Sequence, residues 1–124
     1  MKKYITGDLL HYKICNAKYL IEVTNTSNHG YCFKGVKDDF NGVICDEFIE
    51  DIPLTPEILE KNGWKKDKDG YFNDSYHIRL CESSTNYAAY KVVNKSIVWL
   101  RAVENVPDLQ HLLFGLDISL KIEV

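Results

Sequence analysis

Aromatic and basic side chains alternate through the second half of this 124-residue chain, and this pattern is the one best suited to binding a ligand. Aromatic rings offer faces on which a nucleobase or another flat ring can stack. Arginine offers a planar fork of donors that fits phosphate or carboxylate, and both arginines of the chain lie in this half. The wider pattern contains Tyr71, Tyr76, Lys91 and Trp99. The predicted ligand-binding residues are Trp64, Lys65, Lys66, His77, Arg79, Tyr87, Tyr90 and Arg101. In the alternative explanation, the rings form a core and the basic groups form its rim.

Histidines and cysteines, which often serve in catalysis or metal binding, are scattered along the chain. Nucleophilic catalysis needs a Cys or Ser beside a His and an orienting group, and no local motif of that kind surrounds His11, His29, His77 or His111. The four cysteines stand singly, whereas structural zinc sites usually show paired ligands. We expect the cysteines to be small buried or half-buried side chains in a reducing compartment. No catalytic residue, metal or cofactor is predicted.

An acidic patch precedes the first predicted helix and consists of Asp46, Glu47, Glu50 and Asp51. A hard-cation site would need more oxygen ligands in register than this patch supplies, and the chain has no twelve-residue calcium loop. The seven glycines are scattered and form no phosphate-binding loop. The patch is therefore interpreted as a solvated surface or a surface that docks a protein.

The overall composition is that of an ordinary globular protein, with 45% hydrophobic and 27% charged residues. The net charge of −3 argues against a general surface for duplex nucleic acid. No apolar run reaches the ~18 residues of a membrane span, and the first residues lack the apolar centre of a signal peptide. We therefore expect one cytoplasmic domain, residues 1–124, without a membrane partner.

The stretch Ile49–Phe72 carries the strongest local signals. Thr55 is a good N-cap, Pro56 suits the first helical position, and Gly63 is placed to end the helix. Directly afterwards, the segment Asp67–Gly70 has the turn chemistry of a tight hairpin. The stretch therefore predicts a short helix followed by a β-hairpin.

The remaining elements follow from hydrophobic periodicity. Alternating segments predict strands at 8–15, 18–25, 31–36, 41–49, 76–81, 86–93 and 96–103. The last of these is apolar on both faces, which predicts a central strand or one covered by a helix or another subunit. Leucines with helical spacing predict a C-terminal amphipathic helix that begins near Pro107 and Asp108, and Ile118, Leu120 and Ile122 predict a closing strand. The fold class is α+β: a mostly antiparallel sheet, strongly bent or a partial barrel, with these two helices.

Residues 52–64 (IPLTPEILEKNGW) and 106–120 (VPDLQHLLFGLDISL) together resemble a group of short proteins frequent in phages and integrated elements of anaerobic gut bacteria. That group has an "IPLTEEWLLKFGF"-like segment, a β-rich middle and a C-terminal "VHELQNLYFALTGEEL"-like segment. The matching positions are Leu54, Thr55, Leu59, Gly63, Leu109, Gln110, Leu113, Phe114 and Leu116. The chain departs from the pattern at Pro107 and at residues 117–119. The resemblance implies a fold and a phage or mobile-element setting, and it carries over no catalytic residue.

Three classes of function fit these observations. The first is a non-enzymatic binding protein, a homo-oligomer that sequesters a small anionic, nucleotide-like signal and so counters host defence. Such an oligomer would bury the last helix or an exposed strand against its copy. The second is a protein–protein module, either a virion accessory part or an inhibitor of a host enzyme, acting through the acidic patch. The third is a nucleotide-cleaving enzyme with His77 or His11 as acid or base.

Overall fold

The computed structural model describes residues 4–27 and 30–124, so Asn28 and His29 of the predicted polar loop lie outside the described residues. The chain divides into two compact units, Met1–Ile52 and Pro53–Val124. Each unit is built on one five-stranded antiparallel sheet. The predicted α+β class is confirmed, with the strands divided between two sheets.

The first unit forms a sheet in the order β4-β3-β2-β1-β5. Its strands are β1 (Leu9–Ile14), β2 (Ala17–Ser27), β3 (Gly30–Gly35), β4 (Asn41–Ile44) and β5 (Ile49–Asp51). The single strand predicted over 41–49 is interrupted by a 3-10 turn at Asp46–Phe48. This turn sends β4 and β5 to opposite edges of the sheet. A buried cluster forms the core of this unit: Tyr4, Leu10, Ile21, Val23, Tyr31, Phe33 and Ile44.

The second unit holds both described helices and a sheet in the order β10-β9-β8-β7-β6. Its elements are α1 (Pro56–Lys61), β6 (Lys65–Asp67), β7 (Gly70–Asn73), β8 (Ile78–Glu82), β9 (Tyr87–Val93), β10 (Ser96–Val103) and α2 (Val106–Gly115). Each strand pairs with the next one along the chain, so this sheet is a simple meander. No helix in the described part of the chain has the length and apolar content needed to cross a membrane.

The local predictions for α1 and its hairpin are confirmed. The Thr55 hydroxyl accepts a hydrogen bond from the Ile58 amide at 3.3 Å, and Gly63 has a φ of 88° just past the helix end. Gly70 closes the hairpin at a φ of 141°. A Cβ at this position would lie 2.1 Å from the Leu80 carbonyl oxygen, so the turn requires glycine for space as well as for φ.

The predicted C-terminal helix is confirmed as α2, but the segment that follows it differs from its prediction. The helix begins one residue after Asn105, whose side chain accepts a hydrogen bond from the Asp108 amide at 2.9 Å, and this cap was not predicted. The predicted closing strand does not form, because residues 118–124 pair with none of the described strands. The segment is held instead through Asn62, which exchanges two 2.7 Å hydrogen bonds with the main chain of Glu123.

Of the alternatives predicted for the strand over 96–103, the central position is wrong, because β10 is an edge of its sheet. Its apolar residues differ in how far they are buried. Val103 is fully buried, whereas Ile97 and Trp99 are 63% and 60% exposed. The leucine stripe of α2 is buried within its own chain at Leu109, Leu112 and Leu113. The last helix therefore does not offer this stripe to a second copy.

Candidate functional site: a cross-strand row on the second sheet

Five side chains stand directly opposite one another across all five strands of the second sheet. The pairs in register are Lys65 with Phe72, Phe72 with Arg79, Arg79 with Tyr90, and Tyr90 with Trp99. Directly opposed residues project on the same face of a sheet. We call this set, Lys65, Phe72, Arg79, Tyr90 and Trp99, the cross-strand row, and its side of the sheet the row face. With ~4.8 Å between strands, the row spans roughly 19 Å.

Arg79, at the middle of the row, is held by two neighbours. Its guanidinium lies over the Phe72 ring, 5.1 Å from the centroid. Its Nη1 donates to both carboxylate oxygens of Asp67, at 2.9 and 2.7 Å. This hydrogen bond is the main reason that the pKa of Asp67 is lowered. Among the described residues, Nη2 and Nε of Arg79 have no hydrogen-bond acceptor, and a guanidinium has five N–H donors, so these nitrogens can donate to a further acceptor.

Lys65 ends the row at strand β6. Its Nζ lies 3.4 Å from the Asp74 carboxylate, and both side chains are strongly exposed, at 79% and 66%. Exposed ion pairs of this kind contribute roughly 0–1 kcal/mol, because water screens them and ordering two side chains costs entropy. The ammonium group can therefore exchange this partner for another anion at little cost.

The aromatic end of the row faces solvent. Trp99 is 60% exposed, and Tyr90 is half-buried beside it. In the neighbouring row on one side, Asp67 on β6 is followed by small residues paired in register: Gly70, Cys81, Ala88 and Ala102. Side chains of this size leave a low shelf along the wall formed by the larger row residues. The arrangement offers a flat surface beside ring faces and a cation.

Three other predicted residues lie on the opposite side of the sheet. Lys66, Tyr87 and Arg101 pair with residues of the buried face, which we call the core face. The Arg101 Nη2 donates to Asp108 at 3.3 Å, and its Nε donates to the Ala102 carbonyl. Lys66 lies over the Tyr71 ring at 5.9 Å from the centroid. The structure therefore separates the two arginines onto different faces.

The last two predicted residues join neither group. Trp64 is only 2% exposed, so its ring faces are not accessible for stacking on a ligand. His77 lies in the turn before β8 with a φ of 55°, exposed, rather than on the strand where alternation predicted it. Its carbonyl accepts a hydrogen bond from the Val92 amide at 2.8 Å. His77 therefore supports the sheet through its main chain.

A cavity of about 330 Å³ lies at one end of the second sheet, and its lining favours cations over anions. The lining residues are Leu54, Glu82, Ser83, Thr85, Asn86, Tyr87 and Glu104. Burial raises the pKa of Tyr87, and the charge on Glu82 raises it further. Because both charged residues are carboxylates, this cavity does not suit the predicted anionic ligand.

The predicted acidic patch is partly engaged within the first unit. Glu50 pairs with Lys18 at 3.5 Å, and Asp51 accepts a hydrogen bond from the Tyr4 hydroxyl at 2.7 Å. Glu47 is exposed, and the Asp46 side chain lies outside the described part of the structure. Across the described residues, no group of three or more His, Cys, Asp or Glu side chains has an arrangement that could hold a metal ion.

Two cysteines differ from their prediction. Cys15 and Cys45 are exposed, whereas Cys32 and Cys81 are half-buried as expected.

Sequence reasoning selected three of the five row residues, Lys65, Arg79 and Tyr90. It left Phe72 out and counted Trp99 only in the wider pattern. The signal that unites the five is strand register, which depends on the lengths of four successive hairpins. The Asp67–Gly70 and Asn94–Lys95 turns are recognisable in the sequence, but the connections between β7 and β8 and between β8 and β9 are four-residue loops whose exact length the sequence does not specify.

Comparisons with protein-family models, with curated proteins and with solved structures found no match to this chain. The resemblance to phage proteins therefore stays a prediction, and the case for a function depends on the geometry of the site.

Proposed function

We propose that the protein is a non-enzymatic binding protein that holds a small, flat, anionic ligand of the nucleotide type on the row face of its second sheet. The observation that supports this most is the register of the cross-strand row. It places a positioned arginine between aromatic rings, and an exposed lysine at the end of the same row.

The base and the phosphate of such a ligand match two different parts of the row. A base would lie on the low shelf against Tyr90 and Trp99, since stacking on aromatic side chains contributes roughly 1–3 kcal/mol per base. A phosphate would accept hydrogen bonds from the donors of Arg79 that Asp67 does not use. Lys65 would then add a second positive charge from the edge of the sheet. Phe72 and Asp67 hold the guanidinium in place beforehand, which lowers the entropy lost on binding.

In a phage or mobile-element setting, the concrete form of this function is sequestration of a nucleotide-like defence signal. A sequestering protein needs to hold its ligand without altering it. The ligand released from the protein by heat should therefore be chemically intact.

The two arginines provide a matched pair of variants for a binding test. Adenosine 5′-monophosphate would be titrated calorimetrically into the wild-type protein, Arg79→Ala and Arg101→Ala. A hydrogen bond to a charged group contributes about 1.5–3 kcal/mol, so Arg79→Ala should weaken binding about 10- to 100-fold. Arg101→Ala removes the same charge from the core face and should leave the affinity within about twofold.

Single-feature probes separate the two halves of the proposed site. Adenosine has the ring without the phosphate, and inorganic phosphate has the charge without the ring, so each should bind more weakly than the nucleotide. Equal loss of binding in both arginine variants would contradict the row-face site, because only net charge would then matter.

Recovery of a cleaved nucleotide would favour an enzyme. Failure of every nucleotide to bind, together with co-purification of a host protein, would favour a protein–protein module.

A further inference from the structure

We propose that two copies of this chain associate through strand β10, paired antiparallel about a twofold axis at Val98. The two second-unit sheets would then form one continuous sheet of ten strands. This inference is independent of any ligand, since it depends on the edge strand alone.

The free edge of β10 presents main-chain donors and acceptors. Among the described strands, only β9 pairs with β10. The tight turn at Asn94 and Lys95 makes Val93 and Ser96 the first hydrogen-bonded pair. Because such pairs alternate along an antiparallel ladder, Ile97 and Trp99 direct their N–H and C=O groups away from β9. The Val92 amide is consistent with this alternation of hydrogen-bonded and non-hydrogen-bonded pairs. Val92 stands opposite Ile97, but its amide points away from β10 and donates to the His77 carbonyl.

The side chains at this edge are apolar and exposed. Ile97, Val98 and Trp99 are 63%, 51% and 60% exposed, respectively. Natural sheets usually protect an exposed edge with charged residues, proline or a bulge. The opposite edge of the same sheet follows this rule, because β6 consists of Lys65, Lys66 and Asp67. From Ser96 to Leu100, β10 has no charge and no proline, and its one bulge comes only after Trp99.

A second copy fits this edge because the stretch is self-complementary. With the axis at Val98, Ile97 of each copy stands opposite Trp99 of the other, and the two Val98 side chains meet on the core face. Ile97 and Trp99 then form two hydrogen-bonded pairs, which give four main-chain hydrogen bonds in total. An aromatic residue opposite a β-branched one is a favourable cross-strand pair. The nearest arginine, Arg101, is neutralised by Asp108 within its own chain.

The size of this contact sets the expected affinity. Three side chains from each copy and a short main-chain ladder provide an interface at or below the low end of the ~1,200–2,000 Å² typical of stable complexes. We therefore expect a weak, reversible dimer. In this register, Trp99 of each copy lies diagonally across the axis from the other on the row face. If the proposed ligand site is correct, the dimer places two such sites side by side.

The test uses sedimentation equilibrium of the ligand-free, full-length protein over a concentration series. The wild type should shift from the mass of one chain towards twice that mass. Ile97→Lys puts a charge on the edge and should weaken association at least tenfold. Its melting temperature should match that of the wild type at concentrations where the wild type is monomeric, because this side chain is exposed in the single chain. Phe114→Lys is the matched control, since Phe114 is 75% exposed on α2 and away from the edge. This variant should dimerise like the wild type.

Hydrogen exchange provides a second measurement that needs no variant. The amides of Ile97 and Trp99 should exchange more slowly as the wild-type concentration rises, and the amide of Val98 should not change, because it already pairs with β9. A wild type that stays monomeric at millimolar concentration would overturn the proposal. So would a dimer that Ile97→Lys leaves intact, a dimer that Phe114→Lys disrupts equally, or assembly beyond two chains.

Discussion

Arg79 and Arg101 make similar bonds, each to an aspartate of its own chain, yet they have different surroundings. Arg79 is stacked on Phe72 and lies among exposed aromatic rings, whereas Arg101 ties strand β10 to the first turn of α2. Residue type and spacing along the chain predict both as anion-binding groups, because both carry the same planar charge. Only the face of the sheet distinguishes a group that can meet a ligand from one that holds the fold together.

The pair Asp67–Arg79 gives a prediction about pH. The pKa of Asp67 is lowered by the hydrogen bond from Arg79, so the folded protein binds this proton less readily than the unfolded chain does. The stabilisation is therefore fully present above the unfolded value of ~3.9 and is lost as the pH falls through the folded pKa. Carboxyl NMR titration should show Asp67 titrating below the ordinary aspartate value of ~3.9. In Arg79→Ala, the pKa of Asp67 should rise; an unchanged value would contradict the pairing.

Tyr71 gives a prediction about stability, because its hydroxyl is buried and makes no hydrogen bond to any residue that the structure describes. An unsatisfied buried polar group costs about 1–3 kcal/mol, so Tyr71→Phe should raise the free energy of unfolding by about that amount. Tyr4→Phe is the contrasting variant, since it removes the 2.7 Å hydrogen bond to Asp51 and should be destabilising. Urea denaturation measures both changes, and destabilisation by Tyr71→Phe would show that its hydroxyl has a partner.

The same residue should respond to alkaline pH. Burial raises the pKa of Tyr71, and nearby carboxylates, with Glu60 the largest, raise it further. A raised pKa means that the stabilisation from the neutral phenol is complete below the unfolded value of ~10 and is lost as the pH rises through the folded pKa. The wild type should therefore lose stability above about pH 10 more steeply than Tyr71→Phe does. Identical alkaline unfolding curves for the two proteins would contradict this account.

At the scale of elements, the sequence predicts the features that depend on a few adjacent residues. It fails where pairing with a distant strand decides the position of an element. The cap at Thr55, the helix end at Gly63 and the hairpin at Gly70 were all predicted, because each depends on a few adjacent residues. The apolar run over 96–103 predicts β10 at the correct place along the chain, but its two apolar faces fit a central strand as well as one covered by a helix or by another subunit. Apolar residues on both faces indicate that both faces meet apolar surroundings. They do not show whether a strand of the same chain pairs with each edge of β10 or whether one edge stays unpaired.

Alanine substitutions at two glycines of the second unit test the close approach in the β6–β7 hairpin. Gly70→Ala should destabilise the protein by several kcal/mol, because its new Cβ would meet the Leu80 carbonyl at 2.1 Å and its φ of 141° is strained for alanine. Gly115→Ala is the matched control at the end of α2, where a Cβ meets nothing within 4 Å. This control should be neutral or stabilising by up to ~1 kcal/mol, since alanine favours helix. Thermal unfolding measures both, and equal effects would contradict the close approach at Gly70.

At the scale of the whole molecule, the candidate site belongs to one sheet and needs no residue of the first unit. The cross-strand row arises from a meander of five strands, in which each hairpin sets the register of the next. Sequence reasoning found the half of the chain that carries the row and three of its members. It also grouped them with Lys66, Tyr87 and Arg101, because distinguishing the two faces requires every turn length between β6 and β10. The β-bulge after Trp99 alone moves Arg101 from one face to the other.

The most direct test of the row face as a ligand site is a fluorescence titration with adenosine 5′-monophosphate. The chain has two tryptophans, Trp64, which is buried, and Trp99, which lies in the row. The nucleotide should quench the wild-type emission in a saturable manner, because a base stacked on Trp99 contacts its ring. Trp99→Phe retains the buried indole and an aromatic ring in the row, so it should bind with little quenching. The account is contradicted if the wild-type emission does not change at millimolar nucleotide, or if Trp99→Phe is quenched to the same extent.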